Sequence, residues 1–189
     1  MSIVEENTYE RAENGAVMRR TRRIVTGENE AGRSYIVSDG PTPNYVLPAH
    51  SPTLAQVVWA TGEGAAEGDD PAPAGHGFGF HSANGTILRV ADFPPDEEYD
   101  YSKVENFLDE YGVRDTEKPR HFWFHKTPSL DYAICLEGEI YAMMDDGEVL
   151  MRPGDILIQR ATNHSWSNRS GKLCRMAFVL IAEDEESHA

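Results

Sequence analysis

Apolar residues in this chain recur in short runs bounded by Gly, Pro, Asn and Asp, not at sustained helical spacing, and such a pattern predicts strands and turns. Arg23 to Thr26, Ser34 to Val37, Leu54 to Ala60 and Thr86 to Phe93 read as strands. Turns are predicted at 28–32, at Ser38-Asp39-Gly40-Pro41 and at Asn84-Gly85, and Pro94-Pro95 ends the fourth run. One segment has a different period: in Tyr101 to Tyr111, Val104, Phe107, Leu108 and Tyr111 share a helical face. Ser102 is its predicted N-cap, with Glu105 three residues on, and Gly112 its stop. From Thr61 to Gly79, Gly, Ala, Asp, Glu and Pro dominate, which predicts a surface loop. From His121 onward the runs are closely spaced, with turns at Thr127-Pro128-Ser129, Asp145-Asp146-Gly147, Pro153-Gly154-Asp155 and Ser170-Gly171. Short strands without intervening helices predict antiparallel hairpins closing a sandwich or barrel, an all-β fold with one short helix inserted.

Length and composition fit one globular domain. The 189 residues, 40% hydrophobic and 26% charged, suit a single core, expected over 16–182. The segment 1–15 is expected as a loose N-terminal tail, and 183–189 as an acidic one. No apolar run approaches the roughly 20 residues that span a bilayer, and acidic residues stand where a secretory signal has basic ones, so a cytoplasmic protein with no membrane partner is expected. Seventeen basic against thirty-two acidic residues give a net charge of −15, which repels phosphate backbones and sets nucleic acid aside. The cluster Arg19, Arg20, Arg22 and Arg23 reads as an exposed lead-in to a strand. Cys135 and Cys174 each lie in an apolar run, as buried reduced thiols do.

The chemistry concentrates late in the chain. In HFWFHKTPSLDYAICLEGE, His121, Trp123, His125 and Thr127 fall on one face if the run is extended, with Phe122 and Phe124 on the other. Along a straight strand His125 and Asp131 would lie about 20 Å apart at ~3.3 Å per residue, so they share a site only if the chain reverses. A hairpin centred on Pro128 would set them opposite one another. Further on, PGDILIQRATNHSWSN places His164 and Trp166 on one face of a short strand. Two histidines and a carboxylate from different strands are what a divalent transition metal with open coordination positions requires.

These residues resemble the cupin superfamily, whose first motif is His-x-His, then three or four residues, Glu, six residues and Gly, and whose second ends Pro-x-Gly-x-x-His-x-x-x-Asn. His125, Asp131 and Gly138 match the first His, the Glu and the Gly; His164 and Asn168 match the His and Asn of the second. Thr127 stands where the family has its second histidine, and Gln159 and Ala161 replace the Pro and Gly. The resemblance implies a cupin-type double-stranded β-helix, a jelly-roll barrel that associates as a homodimer. It also implies a lumen in which His125, Asp131 and His164 hold the metal, with His121 as a further ligand or a residue at the barrel mouth. Fe²⁺ or Zn²⁺ is favoured, with Mn²⁺ and Ni²⁺ as alternatives.

Besides the favoured ligand role, Asp131 is a candidate acceptor orienting an imidazole, or a candidate catalytic base with its pKa raised by burial. Trp123, Thr127, Tyr132 and Trp166 are candidates for the substrate pocket, and Arg160 and Arg175 for contact with an anionic substrate if they face inward. The helix before the first motif either lids the barrel or packs against it. Two functions follow: a metal-dependent enzyme acting on a small organic molecule by dioxygenation, isomerisation, dehydration or decarboxylation, or a small-molecule-binding barrel without metal or catalysis. His50, His76 and His81 are assigned no role.

Overall fold

A computed structural model gives the fold and describes residues 10–11, 17–47, 51–80, 82–114 and 119–182. In chain order the strands are β1 (Glu10–Arg11), β2 (Val17–Met18), β3 (Arg22–Glu28), β4 (Ser34–Pro41), β5 (Tyr45–Val46), β6 (Leu54–Ala60) and β7 (Thr86–Phe93). After helix α1 (Tyr101–Glu110) come β8 (Ser129–Glu137), β9 (Ile140–Met144), β10 (Glu148–Met151), β11 (Ile156–Arg160), β12 (His164–Ser167) and β13 (Cys174–Ala182). From the segment expected as an N-terminal tail, β1 pairs with β2 just beyond it. The remainder of that tail, the acidic C-terminal residues, His50 and His81 lie outside the described residues.

Two antiparallel sheets enclose the core. The larger has the order β11-β8-β13-β7-β6-β5 and the smaller β10-β9-β12. β13 is central because alternate residues, Cys174, Met176, Phe178 and Leu180, are all apolar and buried, and its neighbours β7 and β8 present a matching inner row of Ile87, Ala91, Phe93, Ala133 and Cys135. The smaller sheet closes over them with Ile140, Ala142, Met151 and Trp166. Burial of this apolar surface, at about 25 cal/mol per Å², is the main term holding the two sheets together. Both cysteines are free and buried, and among the described residues no helix is long and apolar enough to cross a membrane.

The outer face of the larger sheet is covered by the chain at Arg19 to Thr21. Gln56 is fully buried and is held from both sides, accepting from the Thr21 N–H at 2.7 Å and donating to the Arg19 carbonyl at 3.2 Å. Beside it Asp92 and Arg175, cross-strand neighbours on β7 and β13, form a buried bidentate ion pair. Arg175 therefore faces away from the lumen, and Arg160 is exposed.

Three local expectations are not met. Ser38-Asp39-Gly40-Pro41 is strand, not turn, because it is laddered to Arg22–Val25. The cap of α1 is Asp100, to which the Ser102 hydroxyl donates at 2.7 Å. His121 to Phe124 is a turn, closed by a bond from the Phe124 N–H to the His121 carbonyl. Phe122 and Trp123 are consecutive yet both buried against Tyr99, Val104 and Leu108, which a flat strand does not allow.

Candidate functional site

A cavity of about 410 Å³ lies between the two sheets, within the usual range of small-molecule sites. Its walls are mainly aromatic: Phe93, Trp123, Trp166 and Phe178 from the barrel, Phe78 and Phe80 from the loop after β6, and Phe107 and Tyr111 from α1. The helix thus supplies part of the cavity wall, and the loop predicted to lie on the surface buries Ala72 and sends Phe78 inward.

His125 and His164 sit together in this wall. They form an isolated antiparallel bridge in which each backbone N–H donates to the other's carbonyl, at 2.9 and 3.0 Å. Their ring centroids are 4.3 Å apart. The Nδ1 of His125 lies 2.6 Å from the Trp123 carbonyl, and that of His164 3.0 Å from the Thr162 carbonyl. A carbonyl only accepts, so both Nδ1 atoms carry the proton and both Nε2 lone pairs remain available. Such backbone contacts orient imidazoles that bind metals. Burial lowers the pKa of both rings, and the neighbouring His125 lowers that of His164 further. Both are therefore neutral at physiological pH, the form that donates a lone pair.

Asp131 lines the same cavity but does not join the histidines. The expected hairpin at Pro128 is absent: His125 pairs with His164, and Asp131 lies on β8 between Gln159 of β11 and Leu180 of β13. Its Oδ1 is buried with no hydrogen-bond partner, and so is the Oε1 of Gln159 across the ladder. Burial pushes the carboxyl up to about 7, with the Ser129 hydrogen bond and the Arg89 charge opposing. Asp131 is the one carboxylate of this wall with a pKa raised toward the range useful for proton transfer.

His121 is elsewhere. Its Nδ1 meets the Ser165 hydroxyl at 2.7 Å and its Nε2 meets Asp96 at 3.2 Å, and it borders a second, shallower pocket with Tyr101 and Arg120. Asp96 also accepts from the Ser167 hydroxyl and the Asn168 N–H. Burial raises its pKa, but these bonds outweigh that and hold the carboxyl below its ordinary value. The Ser165-His121-Asp96 chain resembles a nucleophilic relay, yet Ser165 is fully buried within β12 and no substrate reaches it. Among the described residues no group of three His, Cys, Asp or Glu side chains could hold a metal.

Of the other predicted pocket residues, Trp123, Thr127 and Trp166 line the cavity, and Thr127, where a third imidazole would stand, accepts from the Ser129 hydroxyl at 3.1 Å. Tyr132 does not: one residue on from Asp131, it alternates to the outer face and is 37% exposed. Gly138 matches its motif for a steric reason, since a Cβ there would lie 2.4 Å from the Leu173 carbonyl oxygen. Ala161, in the position of a motif glycine, keeps a positive φ of 47°.

Arg89 is a lining residue that sequence reasoning missed. It extends from β7 into the cavity, its Nη2 donates to the Gly79 carbonyl at 2.7 Å, and its Nε is buried without a partner. Burial lowers its pKa, while Asp131 and Tyr111 pull it back up. Its signal was alternation: Ile87, Arg89, Ala91 and Phe93 share one face, and a lone cation on an apolar face is a functional candidate.

Comparison with known proteins gives the following. A cupin-domain-containing oxidoreductase of Aspergillus ruber is 30% identical over 174 residues, covering 88% of this chain and 74% of that protein. Another, of Hypocrea virens, is 28% identical over 172 residues, covering 87% and 77%. The cupin domain of Schizosaccharomyces pombe Cnp3 superposes with a TM-score of 0.46 at 12% identity, over 86% of this chain and 90% of that one. No protein-family model matches the chain.

Proposed function

Because the chain belongs to the cupin-domain proteins, we propose that it is an oxidoreductase of this family, acting on a small, largely apolar organic molecule held in the aromatic lumen. The observation that carries this reading is the pair of neutral, backbone-oriented imidazoles at His125 and His164 in the wall of a substrate-sized cavity. The names of the Aspergillus and Hypocrea relatives favour oxidation–reduction over isomerisation, dehydration or decarboxylation.

The donor set fits a divalent transition metal, Fe²⁺ or Zn²⁺ before Mn²⁺ or Ni²⁺, to the extent of two ligands, the Nε2 atoms of His125 and His164. When bound, such an ion supplies Lewis-acid chemistry, and iron supplies redox chemistry too. The chain's own groups bind and position. Phe80, Phe107, Trp123 and Trp166 enclose the body of the substrate and exclude water. Asp131, with an unpartnered Oδ1, takes a proton from a substrate hydroxyl or returns it to a substrate oxygen.

The test is elemental analysis of tag-free protein purified without added metal. Near-stoichiometric metal is expected in the wild type and in His121→Ala, with at least about a ten-fold loss in His125→Ala and His164→Ala, as removal of one imidazole costs metal affinity. A wild type that holds none, even after reconstitution, overturns the metal reading.

One observation favours a second reading, a binding lumen without metal: Thr127 occupies the position of an imidazole, and no third ligand stands beside the pair among the described residues. A lumen of that kind retains full ligand affinity in His125→Ala.

A further inference from the structure

The lumen is apolar apart from a few groups, and three of its lining residues, Arg89, Asp131 and Trp123, carry a buried polar atom without a hydrogen-bond partner. Arg89 on β7 and Asp131 on β8 flank β13 from opposite sides, where they pair with Phe178 and Leu180. Both point to the inner face; two inter-strand steps of ~4.8 Å and a two-residue offset along β13 at ~3.3 Å per residue put them about 12 Å apart at strand level. They feel each other's charge without an ion pair forming between them. The guanidinium leaves Nε–H without an acceptor, and the carboxyl leaves Oδ1 without a partner. Arg89 is half-buried, but its Nε–H is buried without an acceptor, and an unmatched buried donor costs about 1–3 kcal/mol, so a ligand that accepts from it is favoured there. The other acid on the wall, Glu110, is exposed at the end of α1.

We propose that Arg89 is a specificity-determining residue that recognises a carboxylate head on the ligand, with Asp131 bonding the head's second oxygen and the aromatic walls taking an apolar body of ring size or longer. This rests on the reading of the lumen as the substrate site, but not on a bound metal. A carboxylate accepts from the Arg89 Nε–H and from a protonated Asp131, so both open positions close at once. An alcohol of the same body can accept from Arg89 or donate to Asp131, but it brings no negative charge to the guanidinium.

The test compares matched probes, benzoate, cinnamate and octanoate against benzyl alcohol, cinnamyl alcohol and octanol, by calorimetry and by quenching of lumen tryptophan fluorescence. It is run on chelator-treated protein and again after loading with Zn²⁺. In the metal-free wild type the best acid is expected to bind about ten-fold or more tightly than its alcohol, the scale of a charge-assisted bond. Arg89→Met abolishes that preference and leaves alcohol affinity within about two-fold, Arg89→Lys retains part of it, and His121→Ala, outside this cavity, leaves it intact. The inference is overturned if the alcohols bind as tightly as the acids, if the preference survives Arg89→Met, or if no acid binds at millimolar concentration to protein that is folded by circular dichroism. Acid preference that appears only with Zn²⁺ and disappears in His125→Ala also overturns it, and would support the metal site as the carboxylate's partner. Should Arg89→Met fail to fold, the comparison of Arg89→Lys with the wild type decides, because loss of the Nε–H donor reduces the acid preference only if Arg89 is its source.

Discussion

The larger sheet carries two arginine–aspartate combinations, one on each face. On the outer face Arg175 and Asp92 are direct cross-strand neighbours on β13 and β7, joined by two hydrogen bonds, with the Arg19 carbonyl taking a further donor. On the inner face Arg89 and Asp131 are separated by β13, each with a polar atom buried and unmatched. The charges and the backbone are the same in kind. Strand spacing decides the difference: one ladder step allows contact, two forbid it. A closed pair serves the fold, and an open one is available to a ligand.

The outer pair gives the largest effect. Asp92→Ala leaves the Arg175 guanidinium buried with only a carbonyl to answer it, and should cost about 5 kcal/mol, the upper range for breaking a buried ion pair. Urea denaturation monitored by circular dichroism measures this, and replacing both residues with apolar ones of similar volume should recover much of the loss. A loss below about 1 kcal/mol in Asp92→Ala would mean that the outer pair does not hold the sheet, and the contrast between the faces would fail.

Asp131 should respond in the opposite sense, and with pH. Its folded pKa is raised to about 7 by burial, above the ordinary carboxylate value near 3.9. The folded state therefore binds more protons than the unfolded chain between those values, and the stability contribution of this group falls as pH rises from about 4 to about 7. Above that window the cost is complete, up to ~4 kcal/mol. Asp131→Asn removes it, so the difference in unfolding free energy, mutant minus wild type, should climb through this window and level off near pH 8. A flat difference curve would show that Asp131 is solvated and the inner face is not open in the sense described.

The contrast also marks where sequence reading succeeds. Leu54–Ala60 and Thr86–Phe93 are strands with the predicted bounds, because β-branched runs flanked by turn residues carry their own punctuation. The lumen positions of His125, Thr127, Asp131 and His164 were legible from motif spacing, and those of Trp123 and Trp166 from strand alternation beside the histidines. Pairing was not: His125 meets His164 across a long stretch of chain, and nothing local distinguishes that from a hairpin onto Asp131. His121 was misread because alternating aromatics imitate a strand, whereas here Phe122 and Trp123 are both claimed by α1. Tyr132 was grouped with the aromatic residues of the pocket, but it follows inward-facing Asp131 on β8, and strand alternation puts neighbours on opposite faces. Arg89 stayed hidden because an arginine in a strand ordinarily faces solvent, and only the apolar company of Ile87, Ala91 and Phe93 marks it as turned inward.

The smallest effect is the sharpest in sign. Arg175→Met and Arg89→Met make the same chemical change on two faces of one sheet. On the outer face the change strands Asp92, whose pKa burial already raises against the pull of Arg175, and the protein should lose stability. On the inner face Asp131 forms no ion pair with Arg89 and already sits near half-protonation at neutral pH, so it responds to loss of the cation by taking up a proton. What disappears there is one bond to the Gly79 carbonyl and the desolvation cost of a buried guanidinium with an unanswered Nε–H. The bond contributes about 1 kcal/mol, and an uncompensated buried donor costs about 1–3 kcal/mol, so the ligand-free protein should gain about 1 kcal/mol from Arg89→Met. Equal losses at both positions would make Arg89 a structural cation like Arg175; opposite signs would identify it as a group kept at the expense of stability for what the lumen binds.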